Sequence, residues 1–245
     1  MPETIYPMKP TAPDVATQDR WDYTARVRDM LSGRWTQHLE REMAQHIGQD
    51  RRAAWGVPDL SSNVLKSVVT QLSVLYDREP TVYIDQDPDG STLEGLFGRD
   101  GLVTRAGLWP LMSRVQKLVV GCREYFVRVD VGPDGLTYRP VAPDMVIAEA
   151  SPDRPDRPTY IQEIQLRRHP ETGEPTWIWE VCDIRRPEDG GPADGPIWAF
   201  YLPDKSGDIG ADVTELFTGQ PSNSAENYPY RANDGSPVLP WVLYH

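Results

Sequence analysis

The sequence predicts an α+β fold, with N-terminal helices followed by an antiparallel, β-rich region. Apolar residues recur at helical intervals before residue 121, and apolar and polar residues alternate in short runs after it. The chain contains 24 prolines and 19 glycines, which are sparse between residues 60 and 120 and dense after residue 130. Runs of helix followed by runs of strand favour α+β over a wound parallel sheet.

The first half of the chain predicts an arm and a series of helices. Prolines at positions 2, 7, 10 and 13 predict that residues 1–14 form an extended arm suited to contacting a neighbouring molecule. Helices are expected over residues 16–30 and 35–47, and from residue 92 to 120 with a break near residues 107–110. Another helix follows the capping run at residues 61–63 and is expected to bury one broad face, made of Val64, Leu65, Val68, Val69, Leu72 and Leu75.

The second half predicts strands joined by turns rich in Pro, Asp and Gly. A hairpin is expected from residues 123–131 and 136–139, and further strands at residues 145–149, 159–167, 176–183 and 197–202. A short strand is also expected earlier, at residues 81–84. The chain therefore divides into an arm (residues 1–14), a helical part (15–121) and a β-rich part (122–245). The apolar run at residues 238–245 predicts a strand that is paired inside an assembly, or a chain that continues further.

Composition excludes several classes of protein. With 39% hydrophobic residues the chain is too apolar to be disordered throughout. Its formal charge of -12 and its four lysines argue against a protein that binds nucleic acid by neutralising phosphates. No apolar run is long enough to predict a membrane span. Cys122 and Cys182 have no metal-binding spacing and are expected to be reduced and buried.

Two clusters resemble metal sites but are better interpreted as polar surface. His38, Glu42 and His46 lie on one helical face, yet the outer pair would be about 12 Å apart, too far to share one ion. Residues 85–90 imitate the start of a calcium-binding loop, but Leu96 occupies the position at which such a loop needs a carboxylate. The sequence therefore predicts no metal and no cofactor.

No catalytic residues are predicted, because the nucleophile, dinucleotide, phosphate and zinc-protease motifs are absent. His169 lies in a turn and His245 at the end of the chain, neither beside an evident base. A hydrolase that uses paired carboxylates stays open as an alternative, with Glu149, Glu163 and Glu180 as its candidates, although their alternation with apolar residues predicts solvent-facing positions. The aromatic runs at residues 177–179 and 198–201 are expected in a sheet core or subunit contact.

Four segments, taken in order, resemble the first half of the portal proteins of tailed bacteriophages. They are residues 61–69 leading into 78–83, residues 120–129, residues 138–147, and residues 234–241, which look like the segment that precedes the stem helix in portals. The resemblance is one of element order and spans most of residues 20–245. Portals also contain a stem, a clip, a tunnel loop and a crown, which this chain lacks.

The resemblance implies a non-enzymatic virion protein, assembled in the host cytoplasm, whose chain forms most of the portal wing. Portals are rings of about twelve subunits at one capsid vertex, through which the genome is packaged and ejected. The implied partners are copies of itself, the capsid protein, the head–tail adaptor and terminase through regions absent here, and double-stranded DNA that passes without specific binding. Another virion adaptor or connector component is the alternative within the same class.

Overall fold

The computed structural model describes residues 9–34, 36–47, 64–73, 81–83, 90–132, 135–151, 154, 157–221 and 228–245. In chain order the described helices are α1 (Val15–Ser32), α2 (Thr36–Ile47), α3 (Val64–Leu72), α4 (Ser91–Phe97), α5 (Leu102–Arg105), α6 (Leu108–Cys122) and α7 (Thr214–Thr218). The strands are β1 (Tyr125–Gly132), β2 (Gly135–Val141), β3 (Val146–Ala150), β4 (Pro158–Arg168), β5 (Pro175–Asp183), β6 (Ile197–Pro203), β7 (Ile209–Asp212) and β8 (Trp241–Tyr244).

The predicted α+β class is confirmed. The chain divides into two compact units, one made of residues 1–21 and 141–243, the other of residues 22–140 and 244–245. No helix within the described ranges is both long enough and apolar enough to cross a membrane.

The first unit contains a five-stranded antiparallel meander with the order β3-β4-β5-β6-β7. The first four of these strands were predicted and lie within two residues of their expected bounds. Strand β7 and helix α7 were not predicted, because elements of four and five residues give too short a pattern to recognise. Successive side chains of each strand point to opposite faces, so the sheet has two distinct sides.

One side of this sheet carries an apolar cluster that includes part of the arm. Ala12 of the arm and Trp21 of α1 pack there against Ile164, Trp179 and Val181. The described part of the arm therefore packs against its own chain. We call this side of the sheet the arm face and the other the carboxylate face.

The second unit begins within α1 and is mainly helical. The predicted helix over residues 92–120 is divided into α4, α5 and α6, with one break at the expected place. Gly107 has a φ of +72° at the start of α6, a left-handed conformation that suits glycine and separates α5 from α6. In α6, Leu111, Met112 and Val115 are buried.

Two expectations for this unit are wrong. On α3 only Val69 of the described apolar residues is buried, whereas Val68 is 44% and Leu72 61% exposed. Residues 81–83 carry no strand, because no neighbouring segment pairs with them among the described residues; residue 84 lies outside those residues.

A three-stranded sheet has the order β2-β1-β8. Of the run at residues 238–245 that was predicted to form a strand, residues 241–244 form β8, which is the last strand of this sheet. Strand β1 also departs from simple alternation: Tyr125, Phe126, Val127 and Arg128 are all buried, so both sides of its first half are covered.

Candidate functional site

Two glutamates lie side by side at the centre of the five-stranded sheet. In the antiparallel register of β4 and β5, Glu163 is directly opposite Glu180, so both side chains project from the carboxylate face. Glu163 is 1% exposed and Glu180 is fully buried. The expectation that these carboxylates face solvent is therefore wrong.

Glu180 is held by donors from both neighbouring strands. Its Oε2 accepts hydrogen bonds from Gln165 Nε2 at 2.7 Å and from Arg167 Nη2 at 3.4 Å. Its Oε1 accepts one from the indole nitrogen of Trp198 at 2.9 Å. Three donors, one of them cationic, offset the cost of removing a carboxylate from water.

Glu163 is tied to the end of the chain. Its Oε2 accepts a 2.7 Å hydrogen bond from the indole nitrogen of Trp241, the first residue of β8. Trp241 is itself buried, so this bond is shielded from competing water. The bond joins positions 78 residues apart in sequence.

Glu149 belongs to a different cluster on the arm face. In the β3–β4 register it lies opposite Tyr160, whereas Val146 lies opposite Glu163, so strand alternation separates Glu149 from the two buried glutamates. Glu149 Oε2 is 2.5 Å from Arg185 Nη1, and Arg185 Nη2 is 2.7 Å from Asp183 Oδ2. The three candidate glutamates therefore do not form one site.

Aromatic residues fill both sides of the sheet, as predicted for the two aromatic runs. Trp179 packs on the arm face, with its ring centroid 6.1 Å from that of Trp21. On the carboxylate face Trp198 makes edge contacts with Phe200 at 5.3 Å and with Tyr230 at 6.3 Å. The aromatic surfaces therefore contribute to packing within the unit.

Cys182 and Tyr228 lie together beneath this aromatic layer. Cys182 is a buried free thiol on β5, and Cys122 at the end of α6 is likewise buried. The hydroxyl of Tyr228 donates a 2.8 Å hydrogen bond to the main-chain oxygen of Val238. Burial, reinforced by Cys182, raises the pKa of Tyr228.

The other sequence candidates do not converge on a site. His38 Nε2 lies 3.0 Å from Asp29 Oδ2 of α1, while the side chains of Glu42 and His46 are outside the described residues, as are residues 85–89. His169 Nδ1 accepts long main-chain hydrogen bonds from Glu171 and Thr172 within its turn. Within the part of the chain that the structure describes, no group of three or more His, Cys, Asp or Glu is placed to hold a metal ion.

The hydrogen bonds of the carboxylate face suit a structural role, in which Glu163 and Glu180 link neighbouring strands. A glycosidase-type pair must reach its substrate, whereas Glu163 and Glu180 are covered and hydrogen-bonded to indole, amide and guanidinium donors. The sequence carries a signal of this role: Glu180 is the only charged residue in the otherwise apolar run from Trp177 to Cys182. A lone carboxylate within such a run indicates a buried hydrogen-bonded group better than a solvent-facing one.

Comparison with models of protein families and with curated proteins gives no match for this chain.

Proposed function

We propose that this chain is a structural virion protein: a subunit of the portal, or head–tail connector, ring at one capsid vertex. The observation that carries the proposal is the order of elements, in which helices α1–α6 lead into the β1–β2 hairpin and then into the meander β3–β7. This order follows the four segments whose sequence resembles the leading half of bacteriophage portals. On this proposal the chain forms most of the wing.

The charge of the chain supports the same proposal. A net charge of -12 disfavours binding of the chain to the negatively charged phosphates of DNA. Weak binding suits a portal, because a genome that is packaged and ejected must slide through the ring. Double-stranded DNA is therefore a passing partner without specific contacts. The lasting partners of the chain are other copies of itself and the capsid protein. The proposal also includes the head–tail adaptor and terminase as partners of the assembled ring.

The candidate carboxylates support a structural protein over the alternative of a carboxylate-dependent hydrolase. Glu163 and Glu180 are buried, and Glu149 is on the other side of the sheet. A substrate would have to displace Trp198 and Trp241, whose indole groups bond to the two buried carboxylates. The proposal accordingly assigns the chain no catalytic residue, cofactor or metal.

Imaging of the purified gene product tests the proposal. Mass photometry and negative-stain electron microscopy are expected to reveal closed rings of about twelve copies with a central channel. Particles that stay monomeric at micromolar concentration would overturn it. Rings of another order, or binding only to preformed portals, would favour the alternative of a different virion adaptor.

A test of the hydrolase alternative uses the same preparation. The variants Glu149→Gln, Glu163→Gln and Glu180→Gln are screened against a panel of glycoside and ester substrates beside the parent protein. We expect that none of the three substitutions abolishes an activity of the parent protein. A reproducible activity lost in Glu163→Gln or Glu180→Gln would contradict the structural assignment.

A further inference from the structure

The charge of the chain is divided unevenly between its two compact units. Residues 1–21 and 141–243 contain 21 acidic and ten basic residues, which gives a net charge of -11. Residues 22–140 and 244–245 contain 16 acidic and 15 basic residues, which gives a net charge of -1. The acidity of the chain therefore belongs to the unit with the five-stranded sheet, and the helical unit is nearly neutral.

Four cations without acidic neighbours follow one another along α5 and α6. Residues 101–123 contain no Asp or Glu, and their charged residues are Arg105, Arg114, Lys117 and Arg123. All four are exposed. Within the part of the chain that the structure describes, none of them forms an ion pair. We call these four residues the basic face.

The two central cations of the basic face share one side of α6. Arg114 and Lys117 are three residues apart and are therefore neighbours on the helix surface, on the side away from the buried Val115. Val120, three residues further along, is 38% exposed and adds an apolar group. A helix surface that serves only solubility usually mixes charges of both signs. Cations of one sign beside an exposed valine suit the binding of an acidic surface better.

An acidic surface surrounds β7, the last strand of the five-stranded sheet. Residues 204–215 contain one base and four exposed acids, which are Asp204, Asp208, Asp212 and Glu215. The first two belong to one turn, because the carboxylate of Asp204 accepts a 3.0 Å hydrogen bond from the main-chain N–H of Asp208. Ile209 is 37% exposed and gives this surface an apolar group of its own. We call the four acids the acidic rim.

The charges of the acidic rim are also uncompensated within one copy. Among the described residues, Asp204, Asp208 and Glu215 form no ion pair. A single copy therefore presents two surfaces of opposite sign, each without the charges that would complement it. A second copy supplies both complements, because every copy carries both surfaces.

We propose that the basic face of one copy docks on the acidic rim of the next copy. The occupant is a second copy of this chain, because each surface carries the charge that the other lacks and both present an exposed apolar residue. A contact between two different surfaces of identical chains is heterologous, and its repetition closes a ring or extends a filament. The inference rests on the proposed ring, for which it names the subunit contact.

A nucleic acid is less suited to the basic face than a second copy. Its phosphates would complement the four cations but would leave the acidic rim without a partner. It would also approach a chain whose net charge is -12.

The test uses two charge-reversed variants of the full-length protein. One carries Arg114→Glu and Lys117→Glu, and the other carries Asp208→Lys and Glu215→Lys. Each variant alone is expected to assemble only at about ten times the parent's concentration, because like charges then meet across the contact. An equimolar mixture is expected to assemble as the parent does, since each surface of one variant then faces the opposite charge on the other. Mass photometry over a dilution series measures both.

Two control variants carry the same changes in net charge outside the two surfaces. Arg41→Glu with Arg168→Glu matches the first variant, and Asp189→Lys with Asp194→Lys matches the second; all four positions are exposed. Both controls are expected to assemble at the parent's concentration. Assembly that weakens equally in controls and charge-reversed variants would reflect net charge alone and would overturn the proposed contact.

Arg123→Gly separates docking from folding. Arg123 has a φ of +72° at the end of α6, a left-handed conformation that suits glycine. The substitution should therefore leave the melting temperature undiminished, yet it removes a cation of the basic face and should raise the concentration needed for assembly about threefold. Unchanged assembly in this variant and in both charge-reversed variants would overturn the proposal.

The outcomes distinguish the contact from the ring. Parent rings that tolerate both charge reversals would overturn the contact and leave the ring intact. A parent protein that stays monomeric would overturn both. Open filaments formed by the parent and restored in the mixture would uphold the contact and count against the portal ring. Retardation of a short DNA duplex that Arg114→Glu with Lys117→Glu abolishes would assign the basic face to nucleic acid and overturn the proposal.

Discussion

The two faces of the five-stranded sheet are buried in different ways. The arm face is closed by apolar groups, with Ala12 and Trp21 packed on Trp179. The carboxylate face combines buried apolar side chains, among them Ile161, Ile178 and Phe200, with a polar network in which indole and amide groups bond to Glu163 and Glu180. Apolar packing tolerates changes that preserve volume, whereas a buried polar network loses stability when any member loses its partner.

Removing a fully buried tryptophan of the arm face should have the greatest effect. Trp179 is fully buried, so Trp179→Ala is expected to lower the free energy of unfolding by about 4 kcal/mol, through lost packing and the cavity left behind. This loss of stability is measured by urea unfolding with circular dichroism as the probe. Trp177→Ala, at a half-buried position of the same face, should cost clearly less, and equal losses would contradict the assigned core.

On the carboxylate face, Glu180→Ala should lower the free energy of unfolding by about 3 kcal/mol, because it leaves three donors without their acceptor. Glu149→Ala is the control, since that side chain is 56% exposed and its ion pair with Arg185 should contribute about 0.5 kcal/mol. Similar losses for the two variants would mean that the buried network does not hold this face together.

One tryptophan-to-phenylalanine exchange on each face compares the faces directly. Trp241→Phe removes an indole donor to Glu163 and should lower the free energy of unfolding by about 2 kcal/mol, because the lost hydrogen bond reaches a buried carboxylate. Trp21→Phe removes a 3.4 Å bond to the neutral oxygen of Val146 and should cost about 0.5 kcal/mol beyond the change in volume. A larger loss of stability for Trp21→Phe than for Trp241→Phe, in thermal or urea unfolding, would contradict the assigned difference between the two faces.

The free energy of unfolding should fall at alkaline pH because of one buried tyrosine on each face of the sheet. Burial raises the pKa of Tyr160 on the arm face and of Tyr228 on the carboxylate face. Above a pH of about 10 the unfolded chain releases protons that the folded chain retains, so stability is full below that pH and falls above it, by at most about 1.4 kcal/mol per pH unit for each tyrosine. Tyr160→Phe should therefore flatten the decline between about pH 9.5 and 11. An unchanged decline in urea unfolding at these values would contradict this expectation.

The smallest effect is expected at an ion pair in the other unit. Burial acts to raise the pKa of Asp29, but hydrogen bonds from Arg34 and His38 outweigh it and hold that pKa below its usual range. The ionised carboxylate of Asp29 therefore stabilises the folded chain above a pH of about 4, and this contribution is lost as the pH falls. Asp29→Asn should cost about 0.5 kcal/mol at neutral pH and nothing in acid, as measured by unfolding at both values. A cost that persists in acid would show that packing, and not charge, is responsible.

The sequence alone determined where most strands lie and that the chain is α+β. Strands β3 to β6 were predicted because alternation and turn chemistry act between near neighbours, as in the Pro, Gly and Asp residues that bound residues 158–168 and 175–183. Tertiary structure decided which side chains are covered. Glu163 is buried and accepts a hydrogen bond from Trp241, which lies 78 residues further along the chain, and Leu72 is exposed although its helix has an apolar stripe. The periodicity of apolar residues predicts the face on which a side chain lies. Burial of that side chain depends on whether a segment distant in sequence packs against the same face.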